Sequence, residues 1–218
     1  MAEITAAMVK QLRERTGAGM MECKKALEEA NGNIDDAVDV LRKRGIASAA
    51  KKAARSTKQG SITVALNDGR NAAAILEFNC ESDFVARTED FQTMVSELTQ
   101  QVLEAPTGTT REQMLEQPFR ADASQTVGQI IAGKIGKIGE NMQIARFEKV
   151  EGGLLGSYIH PGAQLGVLVQ VTGASAAAAA NEELQELLRD VAMQVAAADP
   201  HFVRREEVTA SVLEKERE

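Results

Sequence analysis

The sequence has few aromatic residues, with 6 Phe, 1 Tyr and 0 Trp among 218 residues. So small a set cannot supply many stacking platforms for nucleic-acid bases. The formal net charge of -7 also argues against a sequence-independent grip on phosphate backbones, which depends on clustered Lys and Arg. We therefore expect no direct nucleic-acid ligand.

Cysteine is also scarce, and Cys23 and Cys80 are the only two in the sequence. A single pair argues against a small secreted scaffold held by disulfides, and two reduced thiols are the simpler interpretation. The N-terminus has no basic-then-apolar signal, and no apolar run approaches the roughly 18 residues of a membrane span. We expect a soluble, cytoplasmic protein without a membrane partner.

Apolar residues make up 44% of the chain, as in a globular protein that buries sizeable cores. In residues 1–45, Gly and Asn separate three segments with helical apolar spacing. Asn33 followed by Asp36 is typical of a helix start. This region is predicted to be a three-helix N-terminal domain.

The second predicted helix has one apolar face and one charged face. At about 100° per residue, Met20 shares a face with Cys23 and Leu27. Met21 instead falls on the side of Lys24. The spacing thus predicts an apolar side chain, Met21, that points outward.

The remainder of the chain divides into three predicted parts. Residues 46–60 are Ala-rich with four basic and no acidic side chains, which indicates a basic helical linker. In residues 61–140, two alternating segments around "NDGR" predict a hairpin, followed by helices. Residues 141–218 repeat this order, because "MQIARFEKVEG", "GLLGSYIH" and "QLGVLVQVTG" predict strands before a helix. The fold class is therefore α+β, with a core of two related subdomains and antiparallel strands.

The segment "GQIIAGKI" at residues 128–135 nearly matches the phosphate-binding loop G-x-x-x-x-G-K-[ST], with Lys134 as the phosphate lysine. Ile135 replaces the hydroxyl residue that holds magnesium, and no buried strand precedes the segment. A coincidence within a helix is the better interpretation. His160, His201 and the two cysteines lack metal-ligand spacing, so we expect no catalytic or metal site.

The stretch "NCESDFVARTEDF", residues 79–91, places Phe84 among polar residues. Ser82 or Asp83 can cap one short helix and Thr88 a second, and this restart would uncouple Phe84 from the apolar stripe that begins at Phe91. On pattern alone, core packing and contact with a partner remain about evenly matched for Phe84.

Five segments in order resemble the signatures of one family: "EITAAMVKQLRERTGAGMMECKKALEEANGNIDDAVDVLRKRG", "NCESDFVAR", "KIGENMQIARF", "GSYIHPGAQLGVLV" and "MQVAAADP". The chain resembles bacterial elongation factor Ts nearly end to end. This resemblance implies a ubiquitin-associated-like N-terminal bundle and a core of two α+β subdomains. It also implies a nucleotide exchange factor without cofactor or covalent chemistry, which ejects GDP from elongation factor Tu and binds Tu in its GDP-bound and nucleotide-free forms.

The resemblance also implies which residues contact Tu. Asp83 and Phe84 match the Asp-Phe pair of a T-D-F-V signature, which intrudes between helices of the Tu nucleotide-binding domain and disturbs its magnesium and phosphate coordination. Ser82 replaces the usual Thr and keeps the hydroxyl. The whole implied segment consists of Asn79, Cys80, Glu81, Ser82, Asp83, Phe84 and Val85. The other implied contacts are Met20, Met21 and Lys24 on the N-terminal domain and, farther from the nucleotide, His160.

Two other functions remain to be distinguished by experiment. A small nucleotide-binding enzyme built on Lys134 would bind ATP or GTP directly, whereas a helical adaptor would use residues 1–45 to bind ubiquitin-like partners and would leave the core unexplained. Longer members of the elongation factor Ts family, which this chain resembles, continue beyond the position of "EKERE" into a helical hairpin used for dimerisation. Self-association as a homodimer is therefore left open.

Overall fold

The computed structural model describes residues 3–215 and residue 217. The helices are α1 (Ala6–Thr16), α2 (Met20–Glu29), α3 (Ile34–Lys52), α4 (Asp83–Ala86), α5 (Glu89–Glu104), α6 (Arg111–Glu116), α7 (Val127–Ile138), α8 (Glu182–Ala198) and α9 (Ala210–Lys215). The strands are β1 (Gln59–Leu66), β2 (Ala72–Cys80), β3 (Pro118–Phe119), β4 (Asp122–Thr126), β5 (Met142–Glu151), β6 (Leu154–Ile159) and β7 (Gly166–Val171). The α+β class and the antiparallel strands are thus confirmed.

Helices α1 to α3 pack around a small core of their own. The turn after α1 begins with Gly17 at φ 66°, a left-handed conformation that glycine adopts without steric cost. The start of α3 is capped as predicted, because the Asn33 side chain accepts hydrogen bonds from the backbone N–H groups of Asp35 and Asp36. The buried side chains of this core are Val9, Leu12, Cys23, Ala26, Leu27 and Ala37.

The third helix does not end at Gly45, as the sequence pattern indicates, but continues to Lys52. Gly45 lies inside it because α3 crosses α7 at this point. A Cβ atom on Gly45 would lie 3.3 Å from the carbonyl oxygen of Ala132, and one on Gly136 would lie 3.1 Å from the Gly45 Cα atom. The glycines therefore allow two helix backbones to approach closely. Residues 46–52 of the predicted linker 46–60 form the C-terminal part of α3. The wider division of the chain into domains stays a prediction.

The main sheet has the strand order β1-β2-β5. The sequence pattern groups residues 142–151 with the two strands that follow, but in the structure β5 pairs with β2, with Cys80 opposite Met142. This strand therefore belongs to the first sheet, although the boundary predicted at residues 140 and 141 assigns it to the second subdomain. Alternation of apolar residues identifies a strand without identifying the strand it pairs with, so the pattern could not show this pairing.

The two faces of the main sheet are covered by different elements. Helix α5 packs on one face, where Phe78 and Phe91 lie with ring centroids 5.3 Å apart. The β6–β7 hairpin lies on the other face, where a Cβ atom on Gly166 would come within 2.6 Å of the Ile62 side chain. Helix α8 then covers this hairpin with the buried residues Leu188 and Ala192. Within residues 3–215 and 217, no helix combines the length and the apolar character that a membrane span needs.

Candidate partner-binding site

Strand β2 leads directly into two separately capped helices, the four-residue α4 and the 16-residue α5. The Ser82 side chain caps α4 by accepting a hydrogen bond from the Val85 N–H at 3.3 Å, and Thr88 caps α5 by accepting one from the Phe91 N–H at 3.3 Å. The predicted double cap is therefore confirmed. Ser82, rather than Asp83, is the first cap.

Phe84 points into solvent from the first turn of α4, and 82% of its surface is exposed. On the same helix Ala86 is buried in the core that also contains Phe78 and Phe91, called the main core below. Helix α4 is therefore anchored on one side and exposes Phe84 on the other. Core packing is therefore the wrong interpretation of this residue. Burying a Phe side chain stabilises a protein by about 1.5 to 3 kcal/mol, and the free protein forgoes most of that gain here.

The residues around Phe84 differ in accessibility. Asp83 is partly exposed, and its carboxylate forms an ion pair with Arg87 at 3.0 Å. Cys80 is fully buried, and burial, followed by the nearby Glu140 charge, raises the pKa of its thiol to about 11. The Asn79 amide donates a hydrogen bond to Glu77 at 2.9 Å. Within the implied segment, Asp83 thus exposes a carboxylate and Phe84 an aromatic ring. Cys80 instead lies buried in the core beneath them.

Two turns lie side by side at this end of the main sheet. They are the β2–α4 turn, residues 81 and 82, and the α7–β5 turn, residues 139–141. The Glu140 carboxylate accepts hydrogen bonds from the Ser82 N–H at 3.0 Å and from the Ser82 hydroxyl at 2.6 Å. In the opposite direction, the Glu81 carboxylate accepts one from the Asn141 N–H at 2.6 Å. Sequence reasoning missed Glu140 and Asn141 as parts of the site, because their partners lie 58 and 60 residues away.

Helix α2 presents two exposed methionines. Met21 is 64% exposed, which confirms that it points outward. Met20 is 59% exposed, which corrects its predicted position on the buried face with Cys23. Met20 is the first residue of α2, and nothing precedes it on that helix to cover it. Lys24 is exposed one turn later and forms a loose ion pair with Glu28 at 3.9 Å.

His160 lies in the exposed turn between β6 and β7. Its Nδ1 atom is 3.0 Å from the Tyr158 hydroxyl, and the two rings meet edge to face. The same turn reaches the main sheet, because the Gln164 amide donates a hydrogen bond to the carbonyl oxygen of Gly60 at 2.8 Å. Gly60 is paired with Asn79 in the sheet. The His160 turn therefore lies near the end of β2, from which Phe84 is presented.

The segment that resembles a phosphate-binding loop is part of helix α7. Lys134 and Lys137, on successive turns, both bind the carboxylate of Asp90 at the start of α5, the latter at 3.1 Å. The hydrogen bond from Lys134 is the main reason that the pKa of Asp90 is lowered. This geometry favours the interpretation of the motif as a coincidence, since the lysine charge is already used to join two helices.

The Asp90 cluster predicts a specific pH dependence of stability. We expect Asp90→Asn to lower the free energy of unfolding at pH 7 by less than about 1 kcal/mol, because the groups are partly exposed. Since folding lowers the Asp90 pKa, this contribution is present above the unfolded pKa of about 3.9 and is lost as the pH falls through the folded value. Urea unfolding at several pH values should show the difference shrinking toward acid. The exposed control Asp68→Asn should show little difference at any pH, and a constant difference for Asp90→Asn would contradict the assignment.

In the part of the chain that the structure describes, no three His, Cys, Asp or Glu side chains form a group suited to a metal ion. What the fold does provide is an α+β scaffold that holds an aromatic side chain out to solvent on a capped helix. Anchors that carry binding energy at protein interfaces are often aromatic, so this scaffold suits a protein that binds another macromolecule.

Comparisons with known proteins identify the family. The family model for Elongation factor TS matches residues 81–218. An elongation factor Ts of Trichlorobacter lovleyi is 46% identical over 217 residues, which cover 99% of this chain and 70% of that protein. Those of Nostoc sp. and Clostridium kluyveri are 44% and 45% identical, covering 100% and 99% of this chain and 70% and 69% of their own lengths. The chain belongs to the elongation factor Ts family and thus to the translation elongation factors.

Proposed function

We propose that this chain is a guanine-nucleotide exchange factor that binds elongation factor Tu in its GDP-bound form, promotes release of GDP and so allows GTP to bind. The observation that carries the proposal is the exposed Phe84 on a capped, four-residue helix. Membership in the elongation factor Ts family supports Tu as the partner. As a translation factor, the protein would act in the cytoplasm.

The mechanism needs no covalent chemistry. Phe84 would insert between helices of the Tu nucleotide-binding domain, where it would gain the burial that the free protein forgoes. Asp83 would follow it and disturb the magnesium and phosphate coordination of Tu. Exchange is then negative coupling between two ligands of Tu. By linkage, the factor by which this chain weakens GDP binding equals the factor by which GDP weakens binding of the chain.

Helix α2 and the His160 turn would supply further contacts. Met20, Met21 and Lys24 form an exposed patch with two apolar side chains and one cation, which suits a protein surface. His160 would make a contact farther from the nucleotide. The segment Asn79, Cys80, Glu81, Ser82, Asp83, Phe84 and Val85 would include both the contacting side chains and those that support them.

The Met21 contact can be tested separately from exchange. We expect Met21→Asp to weaken binding to Tu, because it introduces a charge into an apolar contact. The free energy of unfolding should change by no more than about 0.5 kcal/mol, as is usual for exposed positions. Titration with labelled Tu and urea unfolding measure the two effects. Met193→Asp, on another exposed methionine, is the matched control and should bind normally. Unchanged binding by Met21→Asp would remove α2 from the proposed surface.

Release of labelled GDP from Tu, with and without this chain, tests the proposed function. We expect the chain to accelerate release. Titration of ATP and GTP into the isolated chain should show no binding, whereas an enzyme built on Lys134 would bind one of them. Absence of accelerated release would reject the exchange function.

A further inference from the structure

The β2–α4 turn and the α7–β5 turn are joined by hydrogen bonds in both directions. Their strands are neighbours, and Cys80 at the end of β2 lies opposite Met142 at the start of β5. Asn141 is itself buried, and its side-chain amide donates to the carbonyl oxygen of Arg55 at 2.9 Å, beyond the end of α3. The β2–α4 turn is therefore attached to the main sheet and to the segment that follows α3.

The Ser82 hydroxyl has one proton, and it donates this proton in a hydrogen bond to the Glu140 carboxylate. The hydroxyl oxygen then keeps its lone pairs for the Val85 N–H, which donates to it at 3.3 Å. The same Glu140 carboxylate also accepts from the Ser82 backbone N–H, so Ser82 is held at two points by hydrogen bonds to a charged acceptor. Glu140 thus sets the orientation in which Ser82 caps α4.

The orientation of Phe84 depends on this cap. Helix α4 has only four residues, and so short a helix has little stability of its own in water. Ala86 holds its second half in the core, whereas its first half, with Phe84, is fixed by Ser82. If the Ser82 cap loosens, we expect the first turn of α4 to fray and Phe84 to sample several directions, while the α2 surface remains intact.

We propose that Glu140 is a positioning residue that, through Ser82, holds Phe84 in the direction needed for nucleotide exchange on Tu. This inference rests on the proposed function. Glu140 acts through Ser82 and not through its own contact with the nucleotide site. Its loss should therefore affect the step after binding more than binding itself.

The central test is Glu140→Gln in the full chain. A Gln side chain keeps one acceptor oxygen, but its NH2 group cannot accept from the Ser82 N–H. We expect the maximal rate of GDP release from Tu to fall about tenfold, as the loss of one charge-assisted hydrogen bond would give, while the half-saturating concentration changes less than about twofold. A loss that only lowers folding stability would not produce this split.

Hydrogen exchange provides a readout that does not involve Tu. In the free protein, the backbone amide of Val85 should exchange faster in Glu140→Gln than in the wild type, because its acceptor is no longer held. Glu148→Gln, which removes a charge from an exposed glutamate of β5, is the matched control. It should leave both amide exchange and GDP release unchanged.

A second set of variants approaches the contact from Ser82. Ser82→Ala should show the same defect as Glu140→Gln, and the double variant should lose little more than either, because both single changes remove one interaction. Ser82→Thr keeps the hydroxyl and should retain most of the maximal rate. If Glu140→Gln does not fold, Ser82→Ala and Ser82→Thr still provide the comparison.

Each outcome decides the proposal. An unchanged maximal rate, defects of Ser82→Ala and Glu140→Gln that multiply, or a loss confined to the half-saturating concentration would overturn it, as would unchanged exchange of the Val85 amide. A wild-type chain that does not accelerate GDP release would instead reject the proposed function, and amide exchange would still show whether Glu140 holds the cap.

Discussion

Replacing Phe84 by Ala should strongly reduce GDP release from Tu while leaving the free protein almost as stable as the wild type. An aromatic anchor at the centre of an interface is typically worth about 2 kcal/mol or more of interaction free energy, a factor of about 30. If that energy is used in the exchange step, the rate of release should fall by a similar factor. The side chain is 82% exposed in the free chain, so its removal leaves no cavity. The free energy of unfolding should change by no more than about 0.5 kcal/mol.

Release of labelled GDP and urea unfolding of the same preparation measure the two effects. Val203→Ala is the matched control, because Val203 is another exposed apolar residue, on the segment after α8. It should release GDP at the wild-type rate. Normal exchange by a well-folded Phe84→Ala would show that this side chain is not the wedge.

Replacing Phe78 by Ala should have the opposite pattern. Phe78 is fully buried beneath α5 and contacts Phe91, so truncation would leave a cavity in the main core. Substitutions of this kind typically cost about 3 to 5 kcal/mol of unfolding free energy. We expect a loss of this size in urea unfolding at a temperature where the variant is still folded.

GDP release by folded Phe78→Ala gives the complementary result. Under conditions in which the variant is folded, the rate per folded molecule should fall much less than for Phe84→Ala, since Phe78 does not reach the surface. Together the two variants separate an aromatic residue that maintains the fold from one that acts on a partner. A stability loss below about 1 kcal/mol for Phe78→Ala would contradict its assignment to the core.

Local signals in the sequence predicted the elements of the site correctly. Ser82 or Asp83, followed by Thr88, predicts two helix starts, and the structure has both, with Ser82 and Thr88 as the caps. Asn33 similarly predicted the start of α3. These predictions succeed because a cap is an interaction between residues two or three positions apart, so the pattern and the contact are both local.

The sequence pattern alone does not decide whether Phe84 is buried or exposed. Phe84 and Phe91 are seven residues apart, which suits one face of a continuous helix, and only the break between α4 and α5 places them apart. The predicted position of Met20 on the buried face of α2 is wrong for a related reason. Helical periodicity shows which face of a helix a residue lies on, but not whether a neighbouring helix extends far enough along the axis to cover it. Met20, at the very start of α2, is left uncovered.

Contacts between segments that are far apart in the chain could not be predicted from the sequence. Nothing near Glu140 indicates that it binds Ser82, and nothing in the alternation of β5 indicates that it pairs with β2. Gly45 has the appearance of a helix end, because glycine often follows a last helical turn, but here it serves a close crossing with Gly136. All three depend on tertiary packing between segments that are far apart in the chain.

The affinity of this chain for Tu, measured with and without GDP, tests the central claim most directly. The claim is that the chain and GDP bind Tu with negative coupling, and linkage then requires the same factor in both directions. We expect the chain to bind nucleotide-free Tu much more tightly than Tu saturated with GDP, by the factor by which the chain weakens GDP. Equal affinity for the two forms of Tu would contradict the account, because a ligand that does not distinguish them cannot shift the equilibrium of GDP binding.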